Sequence, residues 1–470
     1  MLIRAENIGY EKVKKPTYKF NPHPVDLTDA TMEERCQKVL KKLEEEQLDL
    51  MVIYADREHG ANFSYLTGFE PRFEEAMLVL HRDGTAFLLL GNESMKMEKY
   101  SRIKAKAIHT PYFSLPNQPM EGERDLKEVL EQAGVTPGKK VGVAGWKMFT
   151  SRTEDNTQLF DVPYFIVQKL KEAVGSEGKV SNRADLFISP EYGVRIRMNA
   201  NEIAHYEFRA MLASDCILET MEQIEPGISE MELANSLQKY GQPISVQTIC
   251  AAGERFTNAV VEPRAKKLAL GEAFSSTVGY KGGLTSRSGY VAAEEEELPE
   301  GQKDYLDRAA KPYYAATATW YSTIHIGLTG GELYDAVETV FSRETYGWML
   351  NPGHLTATEE WMSSPISEGS KIPFQSGMLL QMDIVMGVKG YAGANAEDGI
   401  ALADQALRKE LEEQYPDVWE RMQRRRTYMI EELGMELSEE VLPLSDSEGY
   451  FRPYLLNREK ALKVIRKGVN

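Results

Sequence analysis

The segment "EEAMLVLHRDGTAFLLLG", Glu74–Gly91, restricts the fold most. Two short apolar runs flank Asp83-Gly84, a pair suited to a tight β-turn, so the segment predicts an antiparallel hairpin. "LDLMVIYA" at 48–55 and "KKVGVAG" at 139–145 predict further buried strands. A helix is expected over Thr31–Glu46, with Thr31 as cap and Glu34 three residues on. Val39, Leu40 and Leu43 give that helix a partial apolar stripe. Strands alternating with helices indicate an α/β unit of about 150 to 190 residues.

That unit is too short for the whole chain. With 470 residues, two domains are the default. The boundary is expected near Phe187, giving domains 1–187 and 188–470. Residues 1–28 form a basic, proline-bearing arm, expected to be irregular. The net charge of −17 argues against nucleic acid or an anionic membrane as the main partner. No apolar run is long enough to span a bilayer, and the N-terminus has no signal-peptide block. Cys36, Cys216 and Cys250 are far apart and odd in number, which suits reduced thiols and a cytoplasmic location.

The second unit has a different rhythm. Asn201–Gln223 predicts a long amphipathic helix, with Ile203, Tyr206, Ala210, Ala213 and Ile217 on one face. Ser229 and Glu232 form a capping-box pair after the Pro226-Gly227 turn. "ISVQTICAAG", "EAFSSTVGY" and "GMLLQMDIVMGVKGY" predict strands, and 305–324 and 331–346 predict helices. The unit is therefore expected to be α+β, with helices against a mostly antiparallel sheet. A charged helical extension follows from about 405, with a looser tail. "RMQRRR" at Arg421–Arg426 is expected to be the wet face of a helix.

These pieces, in this order, resemble the creatinase, prolidase and aminopeptidase P family. "YLTGF" at Tyr65–Phe69 is similar to that family's N-terminal domain. "RIRMNANEIAHYEFRAMLASD", "IEPGISEMELANSL", "ISVQTICAAGERF", "SGMLLQMDIV" and "NAEDGIALAD" are similar to its pita-bread domain. The resemblance runs from about Thr31 to Asp404. It implies a creatinase-type α/β domain followed by a pita-bread domain. It also implies a small-molecule or short-peptide substrate and a homodimer.

The metallopeptidases of that family hold two metal ions with two aspartates, a histidine and two glutamates. Carried over position by position, the resemblance places Thr277 and Arg287 where the aspartates stand, with one residue of slippage allowed at the second. His354 takes the histidine position, and Asp383 and Glu397 take the glutamate positions. No Asp or Glu occurs between Glu272 and Glu294, so slippage restores no ligand. Two metal ions would be left with unbalanced charge in a buried pocket. The expectation is a hydrolase-like member with a dismantled dinuclear site, without metal or other cofactor, acting on a C–N bond of a small carboxylate-bearing substrate. His354, Glu397 and Asp383 are the candidate catalytic residues. Arg287 and Trp361 are the candidate substrate-binding residues. Arg287 is expected between Asp383 and Glu397, neutralising both. Two alternatives stand beside this: an Xaa-Pro dipeptidase or aminopeptidase with one metal on His354, Asp383 and Glu397, and a non-catalytic binding or scaffold relative.

Overall fold

The Asp83-Gly84 turn forms as predicted in the computed structural model, which describes residues 2–18, 23–257, 262–391 and 393–465. Gly84 takes a φ of 87°, which a side chain would disfavour. The strands Ala76–His81 and Ala86–Leu90 pair in antiparallel register on either side. Leu50–Ala55 adds antiparallel to the first of them and parallel to Lys140–Ala144. Lys106–His109 and Lys179–Asn182 complete a six-stranded mixed sheet. Leu50–Ala55 is buried along its whole length, as its unbroken apolar run requires. Val52, Val79 and Val143 share a core with Leu130 and Leu170 from the flanking helices. The first helix starts at Asp29 rather than Thr31, because Thr28 is the residue that accepts the Thr31 N–H.

The chain divides into the units Leu27–Ile196 and Met1–Asp26 with Arg197–Asn470. The 1–187 and 188–470 division therefore needs correction at both ends. The described arm residues up to Asp26 belong to the second unit for a backbone reason. Ile8–Lys12 pairs antiparallel with Lys460–Val464. Ile3 is buried and exchanges two hydrogen bonds with the Thr319 hydroxyl, at 2.9 and 3.1 Å. Residues 19–22 of the arm and 466–470 of the tail lie outside the described residues.

The second unit is built on a seven-stranded sheet. His354–Leu355, Leu379–Met382, Asn395–Leu402, Gly283–Tyr290, Ala273–Tyr280 and Ile249–Ala252 follow one another, all antiparallel. Val441–Pro443 pairs a second time with Asn395–Leu402. The long helix runs Ala200–Gln223, and its Asn199 cap and Glu202 form a capping box. It packs on the neighbouring strands Gly283–Tyr290 and Ala273–Tyr280. Gly283 permits the approach, since a Cβ there would lie 2.3 Å from the Ala210 Cα. The Ser229–Glu232 capping box also forms.

Two readings of the C-terminal region change. The segment Ser445–Arg452 is buried rather than loose, and it covers the sheet face that holds Arg287. "RMQRRR" is not simply a wet face. Arg421 and Arg425 hold the buried Glu207 on the long helix at 2.5 to 2.9 Å. Arg425 Nε also donates to Asp446 at 2.7 Å. The charges go inward because Glu207 and Asp446 are already buried there and need partners.

Asp446 also meets Asp215. Burial and the neighbouring Asp446 charge push Asp215 up to about 9, while Arg425 overcomes burial to hold Asp446 below the usual range. Asp215 therefore keeps the proton of the pair at neutral pH. Its contribution to stability is complete in acid and is lost as pH rises toward its folded value. Asp215→Asn keeps a neutral donor without that proton uptake. It should match wild type near pH 4 and become more stable by up to about 1.4 kcal/mol per pH unit above that. Urea midpoints at pH 5 and pH 8 measure this, and a pH-independent difference would contradict it.

Candidate functional site

The register of the sheet determines which side chains meet. Residues directly opposite in an antiparallel ladder share a face, and residues two apart along a strand do so too. His354 lies opposite Gln381, and Gln381 opposite Gly399. Glu397, two residues before Gly399, lies opposite Ser286, and Ser286 opposite Thr277. One face thus carries His354, Gln381, Glu397, Ser286 and Thr277 in a row. Asp383 follows just past the end of Leu379–Met382, two residues beyond Gln381.

His354, Asp383 and Glu397 each offer a donor atom, and these atoms lie within 4.8 Å of one another. His354 Nε2 is 3.9 Å from Asp383 Oδ2. His354 Nδ1 is 3.2 Å from the Leu355 carbonyl, so in a neutral ring Nδ1–H donates there and Nε2 keeps its lone pair for the cluster. Gln381 Nε2 donates to the Leu284 carbonyl at 2.9 Å and reaches Glu397 Oε1 at 3.4 Å. Asp383 Oδ1 is buried without a hydrogen-bond partner among the described residues. Thr277 and Ser286 face this row with neutral hydroxyls 2.6 Å apart. Trp361 stacks on the His354 ring with centroids 4.0 Å apart. It is 37% exposed where His354 is 2%, so the indole is the wall between the imidazole and solvent.

Burial dominates the electrostatics of the trio. Burial lowers His354 to about 4 and raises Asp383 to about 7. Burial, then the Asp383 and Asp398 charges, push Glu397 well above the carboxylate range. His354 is thus neutral by losing its proton, while the two carboxyls are biased toward keeping theirs. Asp383 and Glu397 interact, so their titration belongs to the pair.

Arg287 is not between these carboxylates. It lies opposite Ala396 and Ser276, one position out of the row, so its side chain leaves by the other face. There it is buried and its donors are all used. Nε donates to the Tyr450 carbonyl at 2.8 Å. Nη1 donates to the Ser286 and Glu397 carbonyls at 2.8 and 3.1 Å. Nη2 donates to the Ser447 carbonyl at 2.6 Å and pairs with the Asp398 carboxylate. Asp398 also accepts from Thr285 and Ser447 hydroxyls at 3.1 and 2.8 Å. The substrate-binding role expected of Arg287 has no free donor to serve it.

Ser286 and Gln381 are the residues of the row that the sequence reading missed. A signal for Ser286 was present. Lys281-Gly282 is a two-residue turn, with Gly282 at a φ of 125°. A two-residue turn pairs Tyr280 with Gly283, and counting back from it places Thr277 opposite Ser286, not Arg287.

Two family models match the two units. Residues 35–181 match the Creatinase/Prolidase N-terminal domain, and residues 208–404 match Metallopeptidase family M24. No curated protein matches the chain in sequence. Among solved structures, the chain is similar to a Xaa-Pro dipeptidase from Bacillus anthracis, with 16% identity and a TM-score of 0.60 over 80% of this chain and 96% of that one. It is similar to the prolidase from Pyrococcus horikoshii OT3, with 17% identity and a TM-score of 0.61 over 79% and 95%. It is also similar to an X-Pro aminopeptidase from Thermotoga maritima MSB8, with 16% identity and a TM-score of 0.59 over 79% and 95%. With a creatinase-type domain leading into an M24 domain whose sheet face gathers His354, Asp383 and Glu397, the chain belongs to the creatinase/prolidase family of M24 hydrolases.

Proposed function

We propose that the chain hydrolyses a C–N bond of a short peptide or similar small amide, with one divalent ion held by His354, Asp383 and Glu397. The observation that carries this reading is the trio of donor atoms within 4.8 Å, with the one arginine expected to neutralise it turned to the other face. One imidazole and two carboxylates suit a mononuclear site, and the unpartnered Asp383 oxygen is a vacant donor for it. A second ion has no such set, because Thr277 and Ser286 are neutral and spend their hydroxyls on each other. Such an ion, when bound, polarises a carbonyl and lowers the pKa of water. The protein orients the donors: the Leu355 carbonyl sets the His354 tautomer, and Gln381 steadies Glu397. A preference for a carboxylate-bearing substrate loses its support with Arg287 turned away.

A metal-free reading also has an observation behind it. Burial keeps His354 neutral and raises Asp383 to about 7, which suits Asp383 as a general acid or base beside a neutral imidazole. Assaying Xaa-Pro dipeptides and tripeptides before and after chelation separates the two. Loss of turnover on chelation and its return with one metal supports the first. Turnover indifferent to chelation supports the second, and no turnover of any small amide in either state contradicts both. The homodimer implied by the resemblance completes the proposal. Among the described residues, no helix is long and apolar enough to cross a membrane.

Trp361 is the wall a substrate would meet beside His354. Trp361→Ala should lower kcat/KM by about 3- to 10-fold, mainly through KM, as loss of one aromatic contact would. Steady-state kinetics on the best substrate checks this, and unchanged KM would contradict it.

A further inference from the structure

The basic arm and the arginine-rich helix meet away from this site, around a cavity of about 200 Å³. Lys14, Lys15 and Thr17 form one side of it, and Arg424 and Arg425 the other. Arg425 and Asp446 are buried at its floor, 3% and 5% exposed. Arg425 uses Nε on Asp446 and Nη1 on Glu207. Its Nη2, like Asp446 Oδ2, is buried with no hydrogen-bond partner among the described residues. A buried guanidinium N–H group left without an acceptor is uncommon in a folded protein.

The charge around the cavity is also uncompensated. Arg421, Arg424 and Arg425 share only Glu207 and Asp446. Lys15 and Arg452 share Glu222. Lys14 adds an ammonium, while Glu431 and Glu432 at the opening add two carboxylates. Of the charged residues that line the cavity, Lys14, Lys15, Arg424 and Arg425 stand against Glu431, Glu432 and Asp446, and Glu432 already accepts the Lys14 backbone N–H at 2.7 Å. The cavity is below the range of drug-sized pockets, which start near 300 Å³. Its occupant is small.

We propose that this cavity binds a small oxyanion, a phosphate or carboxylate group, received by Arg425 Nη2 at the floor and by Lys14 and Arg424 at the opening. A guanidinium presents paired donors that match either group. This site is separate from His354, Asp383 and Glu397 and does not depend on their chemistry.

The test is calorimetric titration of the full chain with inorganic phosphate, and in parallel with citrate, at matched ionic strength in chloride. One saturable equivalent of either anion is expected, and which of them binds identifies the group. Lys14→Met and Arg424→Met, both at exposed positions, should each weaken that binding by about 5- to 10-fold. They should leave peptide turnover as in wild type. Absence of saturable binding would overturn the proposal and leave the cavity to water. Binding that survives both substitutions would overturn it too, since the anion would then sit elsewhere.

Discussion

Arg287→Met is expected to lower the unfolding free energy by about 3–5 kcal/mol, the usual cost of breaking a buried ion pair from one side. The substitution keeps the volume and removes the fork. Asp398 is then left charged in a site with no exposure, and the carbonyls of Glu397, Ser447 and Tyr450 lose a donor. Burial already raises Asp398 against the opposing pull of Arg287, so without the arginine Asp398 must either stay charged at a cost or take up a proton at a cost. Adding Asp398→Asn should restore a large part of the loss, because the uncompensated charge goes with it. Urea denaturation of the two variants measures both effects. A single variant as stable as wild type would mean that Arg287 does not tie the sheet to the C-terminal segment.

The second large effect is on activity. Glu397→Gln should lower kcat/KM by more than about 100-fold, since losing even an outer partner of a metal ligand costs about 10- to 100-fold. Its stability should move the other way. Glu397 is held well above the carboxylate range by burial and by its acidic neighbours, so a neutral isostere relieves the fold. With both proteins stripped of metal by chelator, a urea midpoint equal to or above that of wild type, beside lost activity in the metal-supplied protein, is the expected combination. Full activity, or inactivity with a lowered midpoint, would argue that Glu397 is structural.

Local chemistry made much of the architecture readable. The Asp83-Gly84 hairpin, the buried strand Leu50–Ala55 and the capping boxes at Asn199 and Ser229 follow from residues a few positions apart. Glu397 was readable as the inward acid from alternation along its strand, and Asp398 does face the other way. What escaped depends on distant partners. The arm reads as irregular because its strand needs Lys460–Val464, more than 400 residues away, to form a ladder. Arg425 reads as solvated because only the fold reveals that Glu207 and Asp446 are buried beside it. Arg287 shows how much one residue of register matters. A slip of one position exchanges the two faces of a strand, and here it moves a cation from the site to the opposite side of the sheet. With that cation gone from the face, the absence of acids between Glu272 and Glu294 still limits the site, while the objection to a single ion disappears.

Metal stoichiometry tests this account most directly. Chelator-treated protein titrated with Mn²⁺, Co²⁺ or Zn²⁺ in a calorimeter should bind one equivalent, and His354→Ala and Glu397→Gln should each remove it. Two tight equivalents would contradict the account, because they would require ligands that Thr277 and Ser286 do not supply. No binding at all would contradict it equally and leave His354, Asp383 and Glu397 as a proton-sharing cluster.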